Sequence, residues 1–415
     1  MKILNRRGFI AASGAAFFGF PFLRASGNPS TISDSEPGTD APAAPVDEYI
    51  DPWLEIDTRK LAWNVTQVRK RVENRPIMAV VKCNGYGHGL VGVAKAFAQQ
   101  DVTHFAVVKV QEAVDLRKNG IKGEILNFGP FTRQEAGLLV SNEITQSVFS
   151  SAVDWLAEAA RERKTQARVH LKVDTGLGRV GVPYDQAAPF IEKTAAMPDI
   201  KITGVFTTLT EDTDHDALQI ERLKKIHDEA KRKGINLGLR HAASSLAVSN
   251  FPPAFLDMVR PGNCLYGIEK LPNLDIQQAL TLKTRVILVK ELKPGQTLGY
   301  HQVYKIEKNA KIATIPLGYS DGYPIGALNH TDALVHGTRC PLVGYMSANH
   351  VFVDVTRCSR EVELGDEVVL YGSQKGEHIT IGEVAKWGES SVYKATIMMN
   401  PLMPRVFIDL GSESK

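Results

Sequence analysis

The chain has 415 residues, 43% of them hydrophobic and 23% charged, with a formal net charge of +3 at pH 7. This is the make-up of a soluble globular protein of two or three domains. So small a charge, with no basic run or aromatic-basic stripe, argues against nucleic acid as a partner. The four cysteines, Cys83, Cys264, Cys340 and Cys358, are widely spaced and form no Cys-x-x-Cys pair. They match neither a zinc pattern nor a disulfide framework, so mostly free thiols are expected, although an exported chain could pair two of them.

The chain opens with Met1-Lys2-Ile3-Leu4-Asn5-Arg6-Arg7-Gly8-Phe9-Ile10 and continues through a Gly- and Ala-rich apolar stretch from Ala11 to Leu23. Paired arginines before Gly-Phe-Ile resemble a twin-arginine export signal. The apolar stretch is short for a membrane span, which needs about 20 residues. Residues 1–25 therefore read as a signal peptide, and the mature protein as exported, periplasmic and without a stable membrane anchor. A Sec signal that carries two arginines, or an uncleaved anchor, is the other reading. Residues 26–48 are rich in Pro, Ala, Ser, Thr and Asp, lack apolar periodicity and read as a disordered linker.

Residues 49–58 hold a strand-like run, Tyr49–Asp57, that could pair with a later β domain. From Pro76 onward short apolar runs alternate with amphipathic helical patterns. The runs are Ile77–Val81, His104–Val108, Glu124–Phe128, Ile144–Phe149, Arg168–Val173, Ile202–Thr207, Leu237–His241 and Leu256–Val259. Helical patterns between them include Val110–Asn119, stopped by Gly120, Asp154–Lys164, and Asp216–Lys233, stopped by Gly234. Eight strand candidates separated by helices over residues 59–280 predict an α/β fold, a (β/α)8 TIM-like barrel, with an open doubly wound sheet as the alternative. Past Leu280 the pattern changes to short strand-like runs, Thr284–Val289, Lys311–Pro316, Asp332–Val335, Cys340–Val343, Val351–Val355 and Glu367–Tyr371, with few helical signals. Residues 281–412 read as a C-terminal β-rich domain.

Lys82 ends the first run and opens a glycine-rich turn, Cys83-Asn84-Gly85-Tyr86-Gly87-His88-Gly89. An amine at the carboxyl end of a barrel strand is placed where such folds do their chemistry, and lysine is the residue that forms Schiff bases with pyridoxal phosphate (PLP). The plain alternative is a lysine that reaches solvent at a strand end. Polar groups also close the fifth run (Lys172 to Arg179), the seventh (Arg240 to Ser245) and the eighth (Arg260 to Asn263). Glycine and small hydroxyl residues in the last two loops could bind a phosphate through backbone N–H groups.

Three segments resemble motifs of the alanine racemases: Val80 to Gly89, His170 to Arg179 and Met258-Val259-Arg260-Pro261-Gly262. So do Leu298-Gly299-Tyr300, Ile315 to Gly322 and Pro404-Arg405-Val406. The resemblance runs in order from about Trp53 to Ile408. It implies a PLP-binding barrel followed by a β domain, a homodimer with shared active sites, and racemisation of an amino acid by transfer of its α-proton between two bases. Lys82 would carry PLP and act on one face; Tyr300, from a second subunit, would act on the other. Arg260 would face the pyridine nitrogen and, always protonated, keep that nitrogen unprotonated, which discourages transamination. Arg179 would serve the phenolic oxygen and substrate carboxylate, and Lys172 matches a lysine that many members carbamylate. Tyr86, Ser245, Gly262, Asn263 and Tyr393 match phosphate positions, and His241 would lie near the ring and Arg260. No metal is implied.

Several positions depart from that pattern. Thr208 stands where the family usually has a ring-stacking histidine, and Ser244 where it usually has asparagine. The substrate-side Ser-Met-Asp-Gln becomes Ser347-Ala348-Asn349-His350. Ala348 and Asn349 would open a pocket wall and remove a charge, so a broader substrate set than alanine is one expectation and neutral drift the other. A decarboxylase of the same barrel type is the nearest rival, but those enzymes usually put an acidic residue where this chain has Arg260. An exported, non-catalytic PLP- or amino-acid-binding protein is the remaining alternative.

Overall fold

The computed structural model describes residues 51–408. The signal peptide expected at 1–25, the linker at 26–48, the first two residues of the 49–58 strand and the last four of the β domain lie outside the described residues.

Seven parallel strands pair in sequence order: Met78–Val80, His104–Val107, Glu124–Asn127, Thr145–Val148, Ala167–Asp174, Ile200–Phe206 and Leu239–His241. The eighth expected run, Leu256–Val259, is too short-paired to count as a strand, yet it closes the ring. Val259 bridges Ile77 on one side and Met258 bridges His241 on the other. Met78 N–H donates to Val259 O at 2.9 Å and Val80 N–H to Pro261 O at 3.0 Å. This closure makes the domain a barrel and disposes of the open-sheet alternative.

The intervening helices bury one apolar stripe each, as their periodicity requires. Val110–Lys118 buries Val110, Ala113, Val114 and Leu116. Gly120 and Gly234 both sit at positive φ just past their helices, where a Cβ would be strained. Thr132 and Glu135 form a reciprocal cap for the helix Arg133–Ser141, with Thr132 N–H donating to Glu135 Oε2 at 2.8 Å and Glu135 N–H to Thr132 Oγ1 at 3.2 Å.

The strand Trp53–Asp57 leaves the barrel and lies in the β domain, antiparallel to Leu280–Arg285 and parallel to Arg405–Ile408. The expected pairing of the chain's early strand with the late domain is therefore present. Lys283 sits between Glu55 at 2.8 Å and Glu367 at 2.9 Å and ties three neighbouring strands together. Because Leu280 already belongs to this sheet, the domain boundary falls just before it and not after it. The run expected as one strand, Thr284–Val289, is in fact two. Leu280–Arg285 pairs with Glu367–Gln374, the chain turns at Val286-Ile287, and Leu288–Leu292 pairs with Ala310–Ile315. The β domain also holds two helices the sequence reading passed over, Ile381–Trp387 and Val392–Ile397.

The last of these helices and the strand after it hold the glycine-rich turn behind Lys82. Arg405 Nε donates to Gly87 O at 3.1 Å. A Cβ on Gly87 would stand 2.0 Å from Thr396 O, so only glycine lets the two backbones meet. Among the described residues no helix is long and apolar enough to cross a membrane.

Candidate active site

The carboxyl ends of the barrel strands surround a cavity of about 730 Å³. Of the residues singled out from the sequence, Lys82, Tyr86, Lys172, Arg179, Ser245, Arg260, Gly262, Asn263 and Tyr393 all line it, together with Thr208 and Ser244. His241 lies beneath them, fully buried. Tyr300, Ala348 and Asn349 are not among the lining residues of a single subunit.

Lys82 is aimed by an unusual backbone. Cys83, Asn84 and Gly85 take left-handed conformations in succession, with φ of 56°, 55° and 60°. Such angles cost energy at non-glycine residues and persist only where the surroundings fix them. Here Asn84 N–H donates to Glu112 Oε1 at 3.0 Å, and Asn84 Oδ1 accepts from Leu90 N–H at 2.8 Å. His88, from the same motif, is buried against Tyr266, and burial lowers its pKa to about 4. It is a neutral packing group.

On the opposite wall, two short helices begin side by side. Ser244 precedes the helix Ser245–Asn250, and Gly262 precedes Asn263–Tyr266. Ser245 Oγ accepts from Gly262 N–H at 2.9 Å. Asn263 Nδ2 donates to the Tyr393 hydroxyl at 2.9 Å. A Cβ on Gly262 would stand 2.4 Å from the Tyr86 hydroxyl, so glycine keeps that corner open. Burial pushes the Tyr86 and Tyr393 phenols up, and both remain neutral donors. Hydroxyls, an amide and helix N–H groups around a space that a side chain would fill are a donor set for a phosphate.

Between the two ends lies the most demanding group of the site. Arg260 is buried, and among the described residues no carboxylate hydrogen-bonds its guanidinium. It donates to Thr207 O at 2.8 Å, to Ala242 O at 3.1 Å and to His241 Nδ1 at 2.8 Å. Burial lowers its pKa to about 9, which leaves it cationic at neutral pH. Since Arg260 can only donate, His241 Nδ1 must accept, and His241 Nε2 carries the proton. That proton points to His170 Nδ1, 2.9 Å away. His170 Nε2 then faces Glu124 Oε1 at 3.3 Å. One acidic residue thus ends a chain of two imidazoles that starts at the guanidinium. Burial, then the nearby Arg260, hold the His241 pKa well below its ordinary value, so the ring stays neutral.

Lys172 completes a cluster of cations. Its amine donates to Thr208 Oγ1 and lies 4.5 Å over the Phe206 ring. Burial first, then the charges of Arg260 and Arg179, lower its pKa to about 7; Asp174 acts in the other direction. Asp174 Oδ1 accepts instead from Gly176 and Gly178 N–H. Thr208, in place of a ring-stacking histidine, is therefore a hydrogen-bond partner of Lys172. The aromatic floor is supplied by Phe206, whose ring stacks on His241 at 4.8 Å and 8° and lies 5.2 Å from the Arg260 guanidinium carbon. Sequence reasoning missed Phe206 and Glu112. Phe206 was visible as the last apolar residue of its strand, but nothing local marks Glu112.

Tyr300 is 66% exposed, with its ring edge-on to Tyr345 at 5.4 Å. Ala348 and Asn349 lie in a loop tied to residues 319–320. Asn349 Nδ2 donates to Ser320 Oγ at 3.0 Å, and Ser320 Oγ donates to Ala348 O at 2.7 Å.

The comparison with known proteins agrees with this arrangement. The family model for the alanine racemase N-terminal domain matches residues 56–270, and the model for the alanine racemase C-terminal domain matches residues 279–407. The chain belongs to the alanine racemase family. The alanine racemase of Desulforamulus reducens is 35% identical over 368 residues, 86% of this chain and 98% of the relative. That of Symbiobacterium thermophilum is 35% identical over 365 residues, 86% and 96% of the two chains. Among solved structures, alanine racemase from Streptomyces lavendulae superposes with a TM-score of 0.81 at 28% identity, covering 88% of this chain and 98% of that one. Alanine racemase from Bacillus anthracis with bound L-Ala-P gives 0.80 at 29%, covering 89% and 97%. Members of this family depend on PLP.

The buried cation at Lys172 has a measurable consequence. Folded, its amine titrates near 7, whereas an unfolded lysine titrates near 10.4. Between those values the unfolded chain holds the extra proton, so stability rises with pH; below pH 7 the cost of the buried cation is present in full. Lys172→Met is expected to raise the thermal midpoint in CO2-free buffer, more at about pH 6 than at about pH 9. An equal gain at both pH values would contradict the assignment.

Proposed function

We propose that the protein is a PLP-dependent racemase that interconverts L- and D-alanine, with Lys82 and Tyr300 as its two bases. The observation that carries this reading is the single cavity that joins an amine at one end to a phosphate donor set at the other, with Arg260 between them. Lys82 would hold the cofactor's aldehyde carbon. Tyr86, Ser245, Gly262, Asn263 and Tyr393 would hold its phosphate, and Arg260 would face its ring nitrogen. PLP, when bound, supplies the electron sink that weakens the substrate's Cα–H bond.

The rest of the chemistry falls to side chains of this chain. A racemase must take a proton from one face of the α-carbon and return one to the other. The Lys82 amine serves the face turned toward its own barrel strand. Tyr300 of the partner subunit serves the other. This assignment comes from the family resemblance, and exposure supports it: within one subunit Tyr300 lies outside the cavity, and Val303, Tyr319, Tyr345 and Met398 are exposed as well. A second copy of the chain would cover these residues and bring the tyrosine to the cavity it faces. Arg179 holds the substrate carboxylate. The Lys172 amine, neutral in good part near pH 7, can add CO2 and become a carbamate, which would place an anion beside Arg179 and Arg260. Arg260, a cation at neutral pH in place of an acid, supports racemisation over decarboxylation, because it offers the ring nitrogen no proton.

Ala348 and Asn349 would meet substrate in the same assembly, where they broaden the set of accepted side chains beyond alanine. The Arg6-Arg7 motif sends the folded protein out of the cytoplasm, and D-amino acids would be made or consumed in the periplasm.

Two measurements test these readings. In D2O, Tyr300→Phe is expected to lose racemisation by about 10²–10⁴-fold while one enantiomer still exchanges its α-proton, since a lone base can return a proton only to the face it came from. Lys82→Ala is expected to lose both; exchange that survives in Lys82→Ala would refute its role. For export, joint replacement of Arg6→Lys and Arg7→Lys should retain the full-length precursor in the cytoplasmic fraction. An unaltered periplasmic level would point to another export route.

A further inference from the structure

We propose that Cys340 and Cys358 are a redox pair that closes into a disulfide and staples the β-domain hairpin carrying Ser347-Ala348-Asn349-His350. Their Sγ atoms lie 3.4 Å apart. Cys340 is buried on the strand Thr338–Val343. That strand runs antiparallel to Val351–Asp354, with Leu342 opposite Val353 and Val343 opposite Phe352. Past Val355 the chain turns sharply, and Cys358 N–H donates to Val355 O at 3.0 Å. The turn folds the half-buried Cys358 back over the strand that holds Cys340. A disulfide needs a separation of about 2.0 Å, so side-chain rotation would cover most of the remaining gap.

The place of the pair gives it a consequence. The chain between the two cysteines contains both hairpin strands and the loop with Ala348 and Asn349. Cys340, Leu342, Met346, Val351, Val353 and Val355 pack in the main core, and Val343 packs in a smaller one with Leu298, Ile306 and Ile312. A cross-link there restricts the unfolded chain and ties the hairpin's first strand to the turn that follows its second. Cys83 and Cys264 take no part, the first exposed on the Lys82 turn and the second buried behind Ser245.

The step needs an external disulfide, for which oxidised glutathione serves. Cys358, the more accessible thiol, gives up its proton and attacks one glutathione sulfur. The S–S bond of glutathione breaks, and the first glutathione leaves with the electron pair and takes up the proton. Cys340, deprotonated in turn, attacks Cys358 Sγ and expels the second glutathione, which takes the second proton. Two protein thiols are oxidised by two electrons, and one glutathione disulfide is reduced to two thiols. Burial pushes the Cys340 thiol up, which makes it the slower, second partner. An oxidising compartment would keep the pair closed. The inference is independent of the racemase reading and survives or fails without it.

The test uses the full chain with PLP bound, equilibrated in oxidised glutathione, quenched with acid and alkylated under denaturing conditions. A non-reducing digest should yield a peptide that links residues 340 and 358. The thermal midpoint should rise by several degrees relative to the dithiothreitol-treated protein. Cys358→Ser, and Cys340→Ala as a second variant, should show no such rise. Overturning results are glutathione adducts or free thiols at both positions with no linked peptide, or a linked protein that melts where the reduced one does.

Discussion

A guanidinium buried at the mouth of a barrel must be satisfied without water, and much of this site follows from how Arg260 meets that demand. Removing an ion from water costs several kcal/mol even after relaxation. Two carbonyls and one imidazole nitrogen accept its protons. The carbonyls come from Thr207 and Ala242, at the ends of two barrel strands, so the arginine can be seated only once the barrel has closed. The imidazole is committed by the same contact. His241 must present Nδ1, which sends its other proton to His170 and on toward Glu124. Among the described residues no carboxylate hydrogen-bonds Arg260 itself, so its charge is left uncompensated at the centre of the site. Lys172 responds: of the nearby cations it is the one that titrates near 7, and so can lose its charge at modest cost.

That positive centre bears on what the cavity would accept, although Glu211 and Glu269 also line it. A neutral floor of Phe206 and His241, a cationic rim and a hydroxyl-lined corner suit an anionic, flat ligand with a phosphate at one end. In the proposed function the same arrangement would withhold a proton from a ring nitrogen facing Arg260, which would separate proton shuffling at the α-carbon from chemistry that needs a stronger electron sink. The Lys82 amine approaches from the first strand because five consecutive residues of positive φ, 83 to 87, turn the chain there, held by Glu112 and by the β domain through Arg405 and Thr396. The second domain therefore acts on the barrel's chemistry from both directions: within the subunit it braces Lys82, and in the proposed dimer it supplies Tyr300.

Much of this was legible in the sequence, for physical reasons. Parallel strands buried on both faces read as apolar runs, and all eight were found, including the one whose pairing reduces to two bridges. Glycines at Gly120 and Gly234 marked helix ends because positive φ selects them. The single run expected over Thr284–Val289 was misread because β residues continue through Val286-Ile287, where the chain changes partners; composition does not record a change of partner. The helices Ile381–Trp387 and Val392–Ile397 are short and were passed over, although Thr380 with Glu383, and Ser391, are capping residues. Tyr393 was nevertheless identified, from motif resemblance and not from its helix. Contacts that join distant segments, such as Glu112 to Asn84, Thr208 to Lys172 and Cys340 to Cys358, leave no local pattern. Ala348 and Asn349 were identified from motif resemblance, and they are not among the residues that line the cavity of one subunit.

The central claim is that a buried cation at Arg260 keeps the chemistry to racemisation. It is tested most directly by product analysis of Arg260→Glu with alanine as substrate, following D- and L-alanine together with any keto acid formed. The account predicts slower racemisation accompanied by keto acid, absent from the wild type, because a carboxylate would let the ring nitrogen hold a proton. Undiminished racemisation with no keto acid would contradict it.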